Sequence, residues 1–155
     1  MANQYPDSIG IMYPYVFPQD TDLPIDYDIP AHCTLIYLGE IQETGIRMEQ
    51  ITNALKDIEF IPTGIVDVDG LELFGLDKDI LVMTLKSSDL DENFQKVSEA
   101  LSSVGIENAS SFPDYNPHIT LNESYKGPTI GYTLPTTIGL GTPELWYGDG
   151  RFPLE

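Results

Sequence analysis

Two histidines occupy the same sequence context in this chain. His32 begins "HCTL" and His118 begins "HITL", and these are the only two histidines among the 155 residues. Residues i and i+2 of a β-strand point to the same face, so His32 projects with Thr34, and His118 with Thr120. Two histidines that merely pack in a core would need no shared neighbours. The repetition therefore favours one chemical task for both pairs.

Each His-x-Thr pair combines a proton carrier with a compact hydrogen-bond donor. Imidazole ionises near neutral pH, so one neutral ring can act as a base while a second, protonated ring acts as an acid. Hydroxyl groups are suited to the non-bridging oxygens of a phosphoryl group, where charge builds in the transition state. We therefore predict a catalytic site of His32, Thr34, His118 and Thr120, with the histidines facing one another across a single cleft. Which histidine is the base is left open.

Hydrophobic periodicity predicts strands around both motifs and helices between them. In residues 32–39, Ile36 and Leu38 are expected to share the face of His32, with Cys33 on the opposite face. The helix over 88–105 is expected to begin with Ser88 as its N-cap and to close at Gly105. The other predicted elements are a first strand at 9–17, a helix at 44–58, strands at 63–75, 79–85 and 116–121, and a last strand at 144–148.

The two motif strands resemble those of the two-histidine (2H) phosphoesterase superfamily, which includes the LigT-like RNA cyclic phosphodiesterases. The first strand ends in "YLG", the second is entered through "FPDYNPH", and the similarity extends over most of the chain. The resemblance implies an α+β, bilobal LigT-like fold with two antiparallel sheets around a central cleft and helices outside. It also implies one domain, residues 1–155, of two pseudo-symmetric lobes. Catalysis by His32, Thr34, His118 and Thr120 would need no metal and no cofactor.

The charge of the chain limits the expected substrate. Seven basic residues against 25 acidic ones give a net charge of −18, and such a surface repels long DNA or RNA. A small nucleotide, which needs only a few donors, is the expected partner. A compact acidic member of the superfamily resembles the phage enzymes that degrade cyclic oligonucleotide signals and so disarm bacterial CBASS immunity. The alternatives are an RNA 2′,3′-cyclic phosphodiesterase in RNA end processing and a non-catalytic module that sequesters a nucleotide.

Three further residues are candidates for substrate binding. Tyr13 and Trp146 lie in short predicted strands that the family fold would bring near the cleft, and aromatic faces stack on nucleobases. Glu144 could accept hydrogen bonds from an amino group on a base edge. The alternative is that Tyr13 and Trp146 pack in the core or at its rim and that Glu144 is a surface acid. Arg151 and Lys126 are the basic residues considered for phosphate contact.

A metal site is the main chemical alternative. It would use His32, His118, Cys33 and Asp114, but Cys33 alternates away from His32 on its strand, and catalytic zinc usually takes three protein ligands. The same alternation argues against Cys33 as a nucleophile.

The remaining features concern location. No apolar stretch reaches the length of a membrane span, and "MANQYPDS" lacks the basic and apolar regions of a secretory signal. The single cysteine fits a reducing compartment. We expect a cytoplasmic protein without membrane contact, in the host cytoplasm if it is encoded by a phage; the oligomeric state is left open.

Overall fold

The computed structural model of the chain describes residues 7–18, 21–61, 63–107 and 115–154. The helices in these ranges are α1 (Ile41–Thr44), α2 (Met48–Leu55) and α3 (Ser88–Ser102). The strands are β1 (Ser8–Pro14), β2 (His32–Glu40), β3 (Gly64–Phe74), β4 (Ile80–Lys86), β5 (His118–Asn122), β6 (Thr137–Leu140), β7 (Glu144–Tyr147) and β8 (Gly150–Pro153).

All eight strands belong to one antiparallel sheet with the order β6-β3-β4-β5-β2-β1-β7-β8. The two motif strands, β2 and β5, are its central neighbours, and three further strands lie on each side of them. The predicted α+β class is confirmed. The two sheets expected from the resemblance are joined into one, because β2 pairs directly with β5 through Cys33 and Ile119.

The boundary between β2 and β5, here called the seam, has little strand pairing. Cys33 and Ile119 are its one registered pair in the part of the chain that the structure describes, whereas β1 and β2 share seven pairs and β3 and β4 also share seven. The Tyr115 hydroxyl adds a link across the seam by donating to the Thr34 carbonyl at 3.0 Å. The Tyr115 ring stacks on Phe94 of α3, with 4.6 Å between the ring centroids.

The helices cover one face of the sheet. Because successive side chains of a strand point to opposite faces, every second side chain lies on the face without helices. Cys33 and Leu35 of β2 and Leu121 of β5 are buried in the same core cluster as Leu90 and Val97 of α3. The intervening residues of both strands therefore point to the opposite side. We call this second side the open face, and it carries both His-x-Thr pairs.

Several element boundaries differ from the predictions. The N-cap of α3 is Ser87 rather than Ser88, because the Ser87 hydroxyl accepts a hydrogen bond from the Leu90 amide at 3.2 Å. The helix ends at Ser102, and Gly105 follows with a left-handed φ of 85°. One further strand, β8, follows the strand that was expected to be the last. It has four residues and ends in proline, so its sequence shows little hydrophobic alternation.

The helix predicted over 44–58 is shorter and is preceded by another. It spans Met48–Leu55 as α2, and the separate short helix α1 ends at Gly45, whose φ is 67°. None of the helices within the described ranges is long and apolar enough to cross a membrane.

Candidate active site

The seam brings the four predicted catalytic residues together. Since Cys33 lies opposite Ile119 in an antiparallel pair, His32 lies beside Thr120 and Thr34 beside His118 on the open face. The two histidines are thus diagonal neighbours, a relation that separates side chains by about 7–8 Å. The four residues thus lie on neighbouring strands of one sheet face.

The two imidazoles are held in the same way. The Nδ1 atom of His32 lies 2.6 Å from the Pro30 carbonyl oxygen, and that of His118 lies 2.8 Å from the Asn116 carbonyl oxygen. A carbonyl only accepts hydrogen bonds, so each Nδ1 carries a proton and donates it. In both rings, Nε2 is therefore the nitrogen that gains or loses a proton during a reaction.

Each histidine also packs against an aromatic ring. His32 lies 4.6 Å from Trp146 between ring centroids, and His118 lies 4.9 Å from Phe74 in an edge-to-face arrangement. The Arg151 guanidinium covers the indole of Trp146 at 4.1 Å and donates to the backbone carbonyls of Gly148 and Gly150. Trp146 thus contacts both Arg151 and His32, with the imidazole and indole rings tilted by 56°, and the three side chains form one side of the site.

The electrostatic surroundings of the histidines differ. Burial lowers the pKa of His32; the hydrogen bond to Pro30 raises this pKa in part, and the charges of His118 and Arg151 lower it further. Burial also lowers the pKa of His118, where the hydrogen bond to Asn116 and the Glu72 carboxylate both act to raise it. Neighbouring charge therefore favours neutral His32 and protonated His118.

A cavity of about 350 Å³ opens beside these residues. His118 lies at its margin, beside Thr34 and against Phe74, rather than in its wall. The lining residues come from β1, β2, β5 and the β7–β8 hairpin: Ser8, Met12, His32, Thr34, Tyr37, Glu40, Thr120, Trp146 and Gly148.

Simple alternation along β2 does not place Tyr37 among the lining residues, and Glu40 lies just beyond the strand predicted from the sequence. The β1–β2 pairing contains register shifts next to Gly10 and Met12, and each irregularity on β2 moves the following side chains by one position. Ile36 is consequently buried in the core, and Tyr37 rather than Ile36 shares the face of Thr34. No local residue pattern marks these shifts.

Tyr13 is not a substrate-binding residue in this structure. It pairs with Cys33 and faces the helices, with 1% of its surface exposed. Its hydroxyl accepts a hydrogen bond from the Asn93 amide at 3.1 Å, and burial raises the Tyr13 pKa to about 12. The prediction of a stacking role is corrected, and Tyr13 is a core residue.

Trp146 and Glu144 do lie on the open face. Trp146 is only 5% exposed, and its indole nitrogen donates to the Glu144 carboxylate at 3.0 Å. His32 and Arg151 occupy the surroundings of the indole, so Trp146 is better placed to support His32 than to offer a broad stacking surface. Contacts of Trp146 or Glu144 with a substrate stay predictions. Lys126 is exposed.

The alternative chemistry that involves Cys33 is not supported by its position. The thiol is buried on the helix side of the sheet, and burial raises its pKa to about 12. Asp114, considered above as a metal ligand, lies outside the described residues. Among those that are described, no cluster of three or more His, Cys, Asp or Glu side chains could hold a metal ion.

Comparison with known proteins identifies the fold. No family model matches the chain, and no curated protein matches its sequence. Among solved structures, a phosphoesterase has a TM-score of 0.64 at 15% identity, covering 97% of this chain and 96% of its own. E. coli LigT complexed with 3′-AMP has a TM-score of 0.60 at 18% identity, covering 97% of this chain and 96% of its own.

A third solved structure has the same fold. The MHV ns2 PDE domain has a TM-score of 0.54 at 15% identity, with 87% of this chain and 98% of that domain covered. The resemblance to the 2H phosphoesterases noted in the sequence is therefore confirmed for the fold over nearly the whole chain.

Proposed function

We propose that this chain is a 2H phosphodiesterase that cleaves small nucleotide phosphodiesters by acid–base catalysis. The observation that carries the proposal is the duplicated arrangement at the seam. Two imidazoles, each anchored through Nδ1 to a backbone carbonyl two residues earlier, lie beside two threonines on one sheet face. The phosphoesterase fold found by comparison supports the same reaction class.

His32 is proposed as the base and His118 as the acid. Arg151 contacts Trp146, which packs against His32, and its positive charge favours the neutral imidazole. The Glu72 carboxylate favours the protonated form of His118. Thr34 and Thr120 would donate hydrogen bonds to the non-bridging oxygens as negative charge builds on them.

The reaction then requires no protein nucleophile. Nε2 of His32 takes the proton of a ribose 2′-hydroxyl, whose oxygen forms a bond to the adjacent phosphorus. The bond from phosphorus to the 5′-oxygen breaks, and Nε2 of His118 protonates the departing oxygen. The products are a 5′-hydroxyl and a 2′,3′-cyclic phosphate, which water can open with the roles of the histidines exchanged.

Cyclic oligonucleotides are the proposed substrates. A net charge of −18 disfavours long polyanions, and the cavity beside His32 is of ligand size. The immune-evasion role suggested by the resemblance to phage enzymes is part of this proposal. An RNA 2′,3′-cyclic phosphodiesterase would use the same residues, whereas a nucleotide-sequestering module would bind without turnover.

A substrate panel tests the proposal directly. The protein is incubated with EDTA and 2′,3′-cyclic mononucleotides, cyclic di- and trinucleotides or short RNA, and the products are identified by mass. We expect cleavage of the cyclic oligonucleotides at the highest rate, unchanged by the chelator. Binding without cleavage would favour the sequestering module. Loss of activity with EDTA, restored by zinc or manganese, would contradict the mechanism.

The pH dependence of kcat/KM follows from the directions of the two pKa shifts. The base must be neutral and the acid protonated, and the pKa of each histidine is lowered from its ordinary value. The fraction of protein with a neutral base and a protonated acid is largest at pH values near these lowered pKa values. We therefore expect a bell-shaped profile with its maximum below about pH 6.5. The profile is measured from initial rates at low substrate concentration between pH 4.5 and 8.5, roughly two units on either side of this value.

Glu72→Gln distinguishes the roles of the histidines. Removing the carboxylate lowers the pKa of His118, and kcat/KM falls on the alkaline limb as the acid loses its proton. That limb should therefore move to lower pH, with the acidic limb in place. Movement of the acidic limb alone would reverse the assignment and make His118 the base.

A further inference from the structure

A second cavity lies next to the candidate active site, at the other end of β1. Its volume is about 330 Å³, and Trp146 is shared between the two cavities. Pro30 and Ala31, which immediately precede His32, form part of its wall. This second cavity, here called the aromatic groove, is lined by Pro14, Tyr15, Val16, Phe17, Ile25, Tyr27, Ile29, Pro30, Ala31 and Trp146.

The lining of the aromatic groove is unusual for this chain. None of its ten described lining residues is charged, although the whole chain has 25 acidic residues. Tyr27 and Val16 are exposed in it by 63% and 87%, respectively. Tyr15 and Phe17 meet edge to face at 4.9 Å between ring centroids. Exposed apolar side chains gathered in a concave surface indicate a binding site for an apolar, flat group.

The position of the groove suggests what that group is. A phosphodiester at His32 has a nucleoside on each side, and the two cavities extend from His32 in opposite directions along β1. No acidic side chain lines the groove itself, although Asp26 and Asp28 flank Tyr27 in the sequence, and its tyrosines offer faces on which a base can stack.

We infer that the aromatic groove is a nucleobase subsite and that the preferred substrate carries a nucleoside on both sides of the scissile phosphate. The inference rests on the proposed function, which it refines from small nucleotides in general to those with two bases at the site. One base would occupy the cavity that reaches Glu40, and the other would stack in the groove against Tyr27 and Tyr15.

Binding of the dinucleoside monophosphate dApA tests the groove without turnover, because this probe lacks the 2′-hydroxyl. Its Kd is measured by calorimetry for the unaltered protein and for Tyr27→Ala, with two further ligands in which one or the other base is replaced by an abasic sugar. We expect Tyr27→Ala to weaken dApA binding by about 5- to 100-fold. Its effect should disappear for one of the two abasic ligands, because that ligand lacks the base in the groove.

Ile65→Ala is the matched control. Ile65 is 75% exposed and lies on β3, which β4, β5 and β2 separate from β1. This variant should bind dApA like the unaltered protein. Failure of the unaltered protein to bind dApA would overturn the subsite, as would an equal effect of Tyr27→Ala on all three ligands.

Cleavage of the ribose form, ApA, is measured separately and keeps the two proposals distinct. If dApA binding depends on Tyr27 but ApA is not cleaved, the result supports the nucleobase subsite and contradicts the proposed phosphodiesterase activity. If ApA is cleaved and Tyr27→Ala leaves dApA binding unchanged, the result supports the phosphodiesterase activity and contradicts the nucleobase subsite.

Discussion

His32→Ala and His118→Ala should each lower kcat by about 10²–10⁴-fold, the usual contribution of a positioned acid or base. The double variant should lose little more, because residues that act as a unit are strongly non-additive. Both side chains lie on the open face with their backbone in the sheet, so the variants are expected to fold. Thermal melting and single-turnover rates on the substrate cleaved best in the panel would measure the two effects.

Cys33→Ala is the matched control for these variants. Cys33 lies next to His32 on the same strand but faces the core, where its thiol is buried. Its replacement should retain turnover within a few-fold while lowering the melting temperature slightly. If either histidine variant kept a near-normal rate while Cys33→Ala lost it, two-histidine catalysis would be refuted.

Replacing the 2′-hydroxyl beside the scissile phosphate with hydrogen should abolish cleavage. The site offers two proton carriers and two hydroxyl donors, and the attacking oxygen in the proposed mechanism belongs to the substrate. A hydroxyl already held next to phosphorus has an effective concentration of about 10⁵ M or more, which water at the same site does not match. The expected loss is therefore about 10³-fold or more, at least comparable to that of a histidine variant.

This second test compares a cyclic dinucleotide with its deoxy analogue under identical conditions. Competition between the two should show similar affinity, so that a difference in rate reports on chemistry rather than binding. Equal turnover of the deoxy analogue would mean that water attacks phosphorus directly. The proposed 2′,3′-cyclic intermediate would then have to be abandoned, although both histidines could keep their roles.

The placement of the candidate catalytic residues on one sheet face could be predicted from the sequence because it depends on local rules. Alternation along a strand places His32 with Thr34 whatever the rest of the fold does. The same rule correctly turned Cys33 toward the core, where its thiol is buried. Ser87 and Ser88 both satisfy the N-cap pattern of α3, and only the hydrogen bond to the Leu90 amide distinguishes them.

Features that depend on pairing between strands could not be predicted. The face of Tyr13 is set by its register with Cys33, and its burial follows from a hydrogen bond to Asn93, which is 80 residues away. Tyr37 reaches the cavity through a register shift that leaves no pattern in the sequence. The joining of the expected sheets likewise depends on one contact between distant segments, Cys33 and Ile119.

That single contact has a consequence for how such a site can evolve. The two proton carriers stand on opposite sides of the seam, where one registered pair and the Tyr115 hydroxyl link the strands. Their separation is therefore governed by packing beneath the sheet, such as that of Tyr115 on Phe94, more than by a continuous hydrogen-bond ladder. Core substitutions can respace the histidines by fractions of an ångström while both His-x-Thr sequences stay intact. Under the proposed function, such respacing would change the size of the phosphoester that fits between them.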